Sequence, residues 1–427
     1  MSCGEPPLRR LSSRKLMRRK PLFPPPVDSA TGRKKENKGK QPKKILTVNG
    51  SIRVVRRWWY SDAEGSLAPA DGFIDREERK VSIGVREMAC RLNNDSHNFD
   101  RTAENLAHTA RIEMSGEQLR LLVIGDGLAV LRAQQSGEIP TAFQSKQCLV
   151  DPAQPDGKTR LYVGVDGVMV PIITDDEKQQ RRKKVLAKRR LRGRKCHPLA
   201  PRKKGADRPY KEFKTIAFYD EHGKFSHQSL LRIKRTVSGA AVRREARRLN
   251  FALADERIAN VDGASWIKSQ LEETPLPLDG LGLDFYHLSE NVHRCRRAVF
   301  GEKAAEGQTW ADNLMHAFKH EGFTAALNIL LAWAAVIRSP KKKAAATKLL
   351  GYVSERRDMI SYPEFTAKGW QIGSGPTESR CKTTTSRLKG RGRRWDGRNA
   401  EAVAALTTLM DSGQWQLYWK PAYAAKT

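Results

Sequence analysis

The chain has 427 residues, enough for two or three domains, and 39% of them are hydrophobic, which suits a protein that buries a core. No run approaches the roughly 18 unbroken apolar residues of a membrane span, and the basic N-terminus lacks the apolar stretch of a secretory signal. The six cysteines show no paired spacing, which favours a reduced intracellular protein over a disulfide framework or a structural zinc site.

The formal net charge of +32 is concentrated in two segments. Residues 1–47 contain 14 lysines and arginines against three acids, a net of +11, and residues 178–204 contain another 14 and no acid. Basic runs can be solvated tails. Charge this concentrated more often binds a polyanion, because each neutralised phosphate releases condensed counterions. We therefore expect a nucleic-acid partner.

Residues 1–45 combine basic clusters with proline-rich stretches, which predicts a disordered basic tail. Residues 46–150 are predicted to form an N-terminal hairpin and a helical region. Two alternating runs meet at Asn49-Gly50, a strong hairpin signal. A helix over 99–110 and a second one beginning near Gln118, capped by Ser115, give the outline of a helix-turn-helix DNA reader. A plain helical hairpin in a bundle fits these two helices equally well.

Residues 151–287 predict the order strand, strand, strand, helix, strand, helix, strand, helix, with the basic segment 178–204 inserted after the first strand. This order implies the α/β class, with a mixed sheet flanked by helices. The basic insertion is expected to be either a disordered loop or an arm that DNA orders. Residues 288–365 are predicted to be all-helical, and residues 366–427 to return to the core with a helix beginning around Pro376.

Three carboxylates fall at breaks in this pattern. Asp166 lies in a strand-like run, Asp262 ends a later strand, and Glu378 lies in the first turn of a predicted helix. Strand ends are rigid platforms that can aim carboxylates at one point, and hard oxygen ligands suit Mg²⁺. Two such ions can activate a water or a 3′ hydroxyl for attack on a phosphate. Taken singly, each residue is explained as well by a turn or by the helix dipole.

A basic stretch follows Glu378 and could hold the phosphates on either side of a cut. Trp395 lies in this stretch, and a place in the core is favoured for it over stacking on a base. The residues predicted to bind DNA are Arg380, Lys382, Arg387, Lys389, Arg391, Arg393 and Arg394.

Four segments in this order, VGVDGV, NVDGASWI, LDFYHLSENV and IGSGPTESRCK, resemble the bacterial insertion-sequence DDE transposases of the ISKra type, over about residues 45–415. The resemblance implies a ribonuclease-H-like catalytic core that contains an all-α insertion and follows a helical N-terminal domain. It makes Asp166, Asp262 and Glu378 the catalytic triad, holding Mg²⁺ with Mn²⁺ able to substitute. The implied activity is cleavage of transposon ends and joining of 3′ ends to target DNA. The alternatives are a metal-dependent structure-specific nuclease on the same fold and a non-catalytic, domesticated DNA-binding protein.

By the same resemblance, Asp284 and His287 lie near the catalytic site. Asp284 is the rival of Asp262 as second metal ligand, and Asp262 is preferred because it heads a clearer strand-to-helix turn. A structural role for His287 fits equally well. The resemblance also implies DNA as the partner, a homodimer or higher oligomer, no membrane, and a place at the nucleoid in the bacterial cytoplasm. Residues 58–71 lack the cysteine pair of many relatives, so no zinc-stabilised N-terminal module is expected.

Overall fold

The computed structural model describes residues 24–71, 80–96, 98–193, 198–234, 238–273 and 276–424. The described residues form two compact units, the first within residues 24–88 and 105–113, the second within residues 89–104 and 114–424. Each described helix is too short or too polar to cross a membrane.

The first unit contains a three-stranded antiparallel sheet of β1 (Glu36–Thr47), β2 (Gly50–Ser61) and β3 (Gly65–Leu67), in that order. Thr47 pairs with Gly50 across the turn, and Gly50 has the positive φ that such turns require, so the predicted hairpin is confirmed. The predicted disordered tail is wrong for residues 36–45, which belong to β1. Its lysines are compatible with a strand because β1 is an edge strand, where exposed lysines are common. Residues 1–23 lie outside the described residues.

The second unit contains a five-stranded mixed sheet in the order β6-β5-β4-β7-β8. The strands are β4 (Arg160–Pro171), β5 (Tyr210–Asp220), β6 (Ser226–Leu231), β7 (Glu256–Val261) and β8 (Gly280–Leu283). β5 runs antiparallel to β4 and β6, whereas β4, β7 and β8 run parallel to one another. The mixed sheet and its flanking helices confirm the predicted α/β class.

The helices of the described residues are α1 (Ile83–Asp95), α2 (Phe99–Ala110), α3 (Gly116–Ser136), α4 (Asp175–Leu191), α5 (Ser238–Arg248), α6 (Ser265–Glu273), α7 (Phe285–Phe300), α8 (Ala305–His316), α9 (Phe323–Ala335), α10 (Pro340–Ser354), α11 (Tyr362–Ala367), α12 (Gly375–Lys389), α13 (Gly397–Asp411) and α14 (Trp415–Ala424). Short 3-10 turns cover Ser145–Gln147, Phe251–Leu253 and Arg357–Met359, and Ala317–Glu321 is π-helical. α7 to α11 form the expected all-helical segment, and its apolar side chains share one core with the sheet.

α3 begins as predicted. Ser115 caps it in a reciprocal pair of hydrogen bonds with Gln118. The helix packs along α13, and Gly127 lies so close to Ala402 that a Cβ there would overlap the Ala402 backbone. α3 is therefore a core helix of the second unit, and a role in a helix-turn-helix remains a prediction.

α4 occupies most of the basic segment 178–204. The disordered-loop alternative is therefore wrong for residues 178–191. The segment has no amphipathic pattern because the helix has no buried face: all of its residues are at least partly exposed. Thr174 caps it, three acids occupy its first turn, and basic residues occupy its last turn, so the ends complement the helix dipole.

A buried charge cluster joins β6 to α5. Glu245 lies 2.9 Å from His227 Nε2 and 2.8 Å from Arg248 Nη1, and Arg244 binds its other oxygen. Burial opposes ionisation of Glu245, but the hydrogen bond from His227 and the charges of His227, Arg244 and Arg248 lower its pKa to about 2. Since an isolated glutamate has a pKa of 4.5, this carboxylate stabilises the fold above about pH 4.5 and loses that contribution as the pH falls towards 2.

We expect Glu245→Gln to lower the free energy of unfolding by roughly 3 kcal/mol at pH 7, because a shift of one pKa unit corresponds to about 1.4 kcal/mol. The difference from the parent should shrink between pH 5 and pH 2, as the parent carboxylate takes up its proton. Urea unfolding followed by tryptophan fluorescence at several pH values measures it. Glu302→Gln, at an exposed position, is the matched control and should change little. A deficit that is the same at pH 7 and pH 3 contradicts the assignment.

Candidate metal centre

The register of the parallel strands places three aspartates level with one another. β4 pairs with β7 at an offset of 96 residues, as in Val163 with Ala259, and the same 96 residues separate Asp166 from Asp262. β7 pairs with β8 at an offset of 22, as in Val261 with Leu283, and 22 residues separate Asp262 from Asp284. Adjacent strands lie about 4.8 Å apart. Continued past the last paired residues, the same register places the three aspartates at corresponding positions near the ends of β7 and β8.

Asp166 is half-buried in β4. The backbone N–H of Gly167 donates to its Oδ1 at 2.5 Å, and the Cys381 thiol of α12 lies 3.3 Å from its Oδ2. Burial, chiefly, and the nearby Asp166 carboxylate raise the pKa of Cys381 to about 12, so this thiol stays protonated and can donate. Asp166 and Glu378 both line a cleft of about 670 Å³.

Asp262 follows β7 and is also half-buried. Its Oδ1 accepts a hydrogen bond from the Ala264 N–H at 2.8 Å, which shapes the turn before α6. Burial raises the pKa of Asp262, the hydrogen bond from Ala264 opposes that rise, and the like charge of Asp166 adds to it. His287 and Arg356 act in the opposite direction. Asp166 and Asp262 are thus close enough for their negative charges to repel.

Glu378 lies with Asp284 and His287 instead. Within the part of the chain that the structure describes, one group of three potential ligands has its atoms within 4.8 Å of one another, and it consists of these residues. His287 Nε2 is 3.3 Å from Glu378 Oε1. The Glu378 side chain is 52% exposed, so it is free to change its rotamer. Neither Asp166 nor Asp262 belongs to this group, although Asp166 lines the same cleft as Glu378.

Asp284 has a structural role that its position in the register does not reveal. It is fully buried and caps α7, accepting from the His287 N–H at 2.7 Å, while its other oxygen accepts from the Ser374 N–H. Both oxygens are thus used by backbone donors. Asp284 joins the end of β8 to the loop that precedes α12. Asp262 is less enclosed than Asp284, whereas Asp284 belongs to the group of three potential ligands, so both stay candidates for the second metal ligand.

The position of Glu378 depends on how α12 sits over β4. A side chain at Gly164 would overlap Thr377 Oγ1, so the absence of a Cβ lets the first turn of α12 approach the strand. The loop before α12 is fixed as well. Asn260 of β7 donates to the Gln371 carbonyl at 2.8 Å, and Phe285 of α7 donates to the Ile372 carbonyl at 2.9 Å.

The basic residues after Glu378 divide into two groups. Lys382 and Lys389 line the cleft with Asp166 and Glu378, Arg391 is exposed, and Arg380 is half-buried. These four remain candidates for binding phosphate.

Arg387 is a correction. Its side chain is buried, donates to the Asn93 carbonyl at 3.2 Å, and lies over the rings of Phe99 and Trp395. Burial lowers its pKa to about 10. The prediction that Arg387 contacts DNA is wrong, because tertiary packing encloses this position of α12. Trp395 is buried, and its indole N–H donates to Leu388, which confirms the core role.

Arg393 and Arg394 are also engaged within the fold. Arg393 donates to the Arg387 carbonyl at 2.7 Å near the end of α12. Arg394 donates to the Ile172 carbonyl and forms an ion pair with Glu177 of α4 at 2.9 Å. These contacts give both arginines structural partners, so neither is kept in the proposed DNA surface.

The sequence did not reveal the roles of Cys381 and Arg356. The thiol lies one turn after Glu378 and is the contact between α12 and Asp166. Arg356 Nε donates to the Gly263 carbonyl at 2.8 Å, directly after Asp262. Arg356 lies within the all-helical segment, between α10 and α11, 93 residues from Gly263 in sequence, and no local pattern indicates such a contact.

These residues fit a divalent cation. Asp166 and Asp262 are hard oxygen donors, half-buried, and repel each other without a positive charge between them. Glu378 offers a further exposed carboxylate along the same cleft.

Comparison with known proteins gives little. No family model and no curated protein matches the chain. A structural comparison aligns it with a chain of the Drosophila P element transposase strand transfer complex at 10% identity and a TM-score of 0.26, covering 81% of each chain. A similarity of this size establishes neither a common fold nor a common activity.

We expect Gly164→Ala to destabilise the protein by about 1–3 kcal/mol, because the added methyl group forces α12 away from β4. Gly351→Ala is the matched control: it lies in α10 with nothing within 4 Å of the place that the added methyl group would take, and alanine favours a helix by about 1 kcal/mol. Thermal unfolding of both variants measures the difference. Equal stability of Gly164→Ala and the parent contradicts the close seating of α12.

Proposed function

We propose that this chain is a DDE-type DNA transposase with a ribonuclease-H-like core, of the insertion-sequence type indicated by its motifs. Asp166, Asp262 and Glu378 are the proposed catalytic and metal-binding carboxylates. The observation that carries the proposal is the like-charge interaction of the half-buried Asp166 and Asp262, which lie three residues beyond the last paired residues of β4 and β7, at the same offset of 96. The strand order, with three antiparallel strands followed by two parallel ones, and the helical segment before Glu378 support it.

Bound Mg²⁺, or Mn²⁺ in its place, would supply the Lewis acid that activates a water or a 3′ hydroxyl and stabilises the leaving oxygen. Hydrogen bonds within the protein orient the carboxylates that would bind the metal. The N–H groups of Gly167 and Ala264 orient the two aspartates, and His287 holds Glu378 at the rim of the cleft. Lys382 and Lys389 bring positive charge to the cleft, where phosphate oxygens would lie. No protein nucleophile is required in this scheme.

The partners follow from the same proposal. The chain binds transposon ends and target DNA, acts as a homodimer or higher oligomer because two ends must be joined together, and works at the nucleoid of a bacterial cytoplasm.

We expect Asp262→Asn and Glu378→Gln to keep DNA binding and to lose cleavage by on the order of 10³-fold, since a metal ion contributes several kcal/mol of transition-state stabilisation. Nicking of supercoiled plasmid with Mg²⁺ or Mn²⁺ measures cleavage, and fluorescence anisotropy with a labelled duplex measures binding. Asp312→Asn, an exposed position on α8, is the control. Parent-like cleavage by either active-site variant would falsify the assignment.

The same assay decides between Asp262 and Asp284. If a folded Asp284→Asn variant no longer cleaves DNA while the Asp262→Asn variant still does, Asp284 replaces Asp262 as the proposed second metal ligand. A duplex with a pre-cut 3′ hydroxyl separates transposase from nuclease, because only a transposase joins that end to a second DNA. For this test the sequence of the duplex is taken from the genomic DNA that flanks the gene for this chain.

Arg356 is proposed as a positioning residue for Asp262. It donates to the Gly263 carbonyl, lies over the Tyr352 ring at 4.1 Å, and its charge favours ionised Asp262. Gly263 has a φ of +76°, a left-handed conformation that the hydrogen bond helps to hold.

We expect Arg356→Ala to raise the Mn²⁺ concentration for half-maximal cleavage by about 10-fold or more, as loss of outer contacts commonly does, while DNA binding is unchanged. Excess Mn²⁺ should restore most of the activity, and Arg356→Lys should restore part of it. Arg357→Ala is the neighbouring control, since the Arg357 side chain is 72% exposed. An equal effect from both arginines contradicts the positioning role.

A further inference from the structure

α4 is a helix without the usual source of helix stability. None of its 17 residues is buried, so no apolar face holds it against the protein. Its stability comes from its ends, where Thr174 and Glu177 form a capping box and charges complement the dipole. Residues 200–204 lie along one side of its first half, where Arg182 donates to the Ala200 carbonyl at 2.8 Å and Lys178 to the Lys204 carbonyl at 3.1 Å. The rest of the helix is exposed to a partner.

The charge on α4 surrounds the helix. Arg181, Arg182, Lys183 and Lys184 occupy four consecutive positions, and steps of about 100° distribute them around the whole circumference. Basic residues continue in the last turn with Lys188, Arg189 and Arg190. Like charges three and four positions apart destabilise a helix, and an anionic partner on either side relieves that repulsion.

The base of α4 is fixed to the elements that carry the candidate metal centre. Lys178 Nζ lies 2.5 Å from Asp396, and Arg394 pairs with Glu177. The loop that contains Asp396 joins α12 to α13, and its Trp395 bonds through its backbone to Pro171 at the end of β4. α4 is therefore connected to the strand of Asp166 and to the helix of Glu378.

We propose that α4 lies in the major groove of double-stranded DNA beside the candidate metal centre and holds phosphates on both walls of the groove without reading bases. The identity of the ligand as DNA rests on the proposed function. The dimensions of the helix support the proposal independently. The major groove of B-form DNA is about 12 Å wide and admits an α-helix, and a helix charged on all sides meets phosphates on both flanks.

The composition of α4 favours duplex DNA over other nucleic acids. Binding of single strands commonly uses aromatic side chains on which bases stack, and α4 contains no aromatic residue. The major groove of duplex RNA is too deep and narrow for side chains to read. DNA duplex is thus the ligand that the helix fits.

The test removes four charges from α4 by the combined substitutions Lys183→Gln, Lys184→Gln, Lys188→Gln and Arg190→Gln, in the full-length chain. The matched control removes four exposed charges elsewhere, at Arg338, Lys341, Lys342 and Lys343, also to glutamine. Circular dichroism and thermal unfolding check that both variants fold. Binding to a labelled DNA duplex of about three helical turns is measured by anisotropy over a series of NaCl concentrations, without divalent metal.

We expect the α4 variant to bind DNA at least about 10-fold more weakly than the parent at about 0.15 M salt. The plot of log affinity against log salt concentration should also be shallower by about 3, because each lost phosphate contact removes about 0.9 from the magnitude of its slope. The control variant should keep the parent slope. On duplex RNA and single-stranded DNA of the same length, the α4 variant and the parent should differ much less. An equal loss in the control, or an equal loss on duplex RNA, overturns the proposal.

The outcome is distinguishable from that of the proposed function. If Asp262→Asn loses cleavage while the α4 variant binds like the parent, only the inference about α4 fails. If the α4 variant binds weakly while Asp262→Asn cleaves like the parent, only the proposed catalytic role fails.

Discussion

The parallel pairing of β7 with β4 is the constraint on which the candidate site depends. A slip of one residue would turn every side chain of β7 to the opposite face of the sheet and separate Asp262 from Asp166. An ion pair at the other end of the same pairing opposes such a slip. Arg160 and Glu256 are register partners, and their side chains meet at 2.7 Å. The pairing of β4 with β7 therefore begins at an ion pair, Arg160 with Glu256, and the like charges of Asp166 and Asp262 lie beyond its other end.

Arg160 also links this register to the segment that leads to Glu378. It pairs with Glu221 at 2.7 Å and donates to the Gly369 carbonyl, and the Tyr162 hydroxyl bonds to Glu221 as well. Buried charge of this kind contributes little net stability, because desolvation offsets the attraction. Breaking it, however, leaves an unpaired buried charge. The network therefore specifies one arrangement of β4, β7 and the loop before α12, and the positions of the proposed metal ligands depend on it.

Local patterns in the sequence were sufficient for the hairpin at Asn49-Gly50, for the succession of strands and helices that implies a mixed sheet, and for the start of α12 near Pro376. They failed where distant residues decide. Arg387 and Lys389 lie two positions apart on α12, yet Asn93, Phe99 and Trp395 enclose the first and leave the second in the cleft. The second oxygen of Asp284, beside the one that caps α7, accepts from the Ser374 N–H, 90 residues away. The helix α4 lacks any apolar periodicity, so the sequence predicted only a loop or an arm there.

The candidate metal centre and α4 share one electrostatic property. Asp166 and Asp262 hold like negative charges in a half-buried place, and α4 holds like positive charges on one exposed helix. Each arrangement costs stability in the free protein, and each is relieved by a ligand of opposite charge. In the proposed function, divalent cations and a DNA duplex would supply those charges together. The loop that contains Trp395 joins the first turn of α4 to β4 and α12. The candidate metal centre and α4 therefore belong to the same unit of the protein. Under the proposed function, binding of cations and DNA reduces the like-charge repulsion at both places, which favours the protein–DNA–metal complex over the free protein.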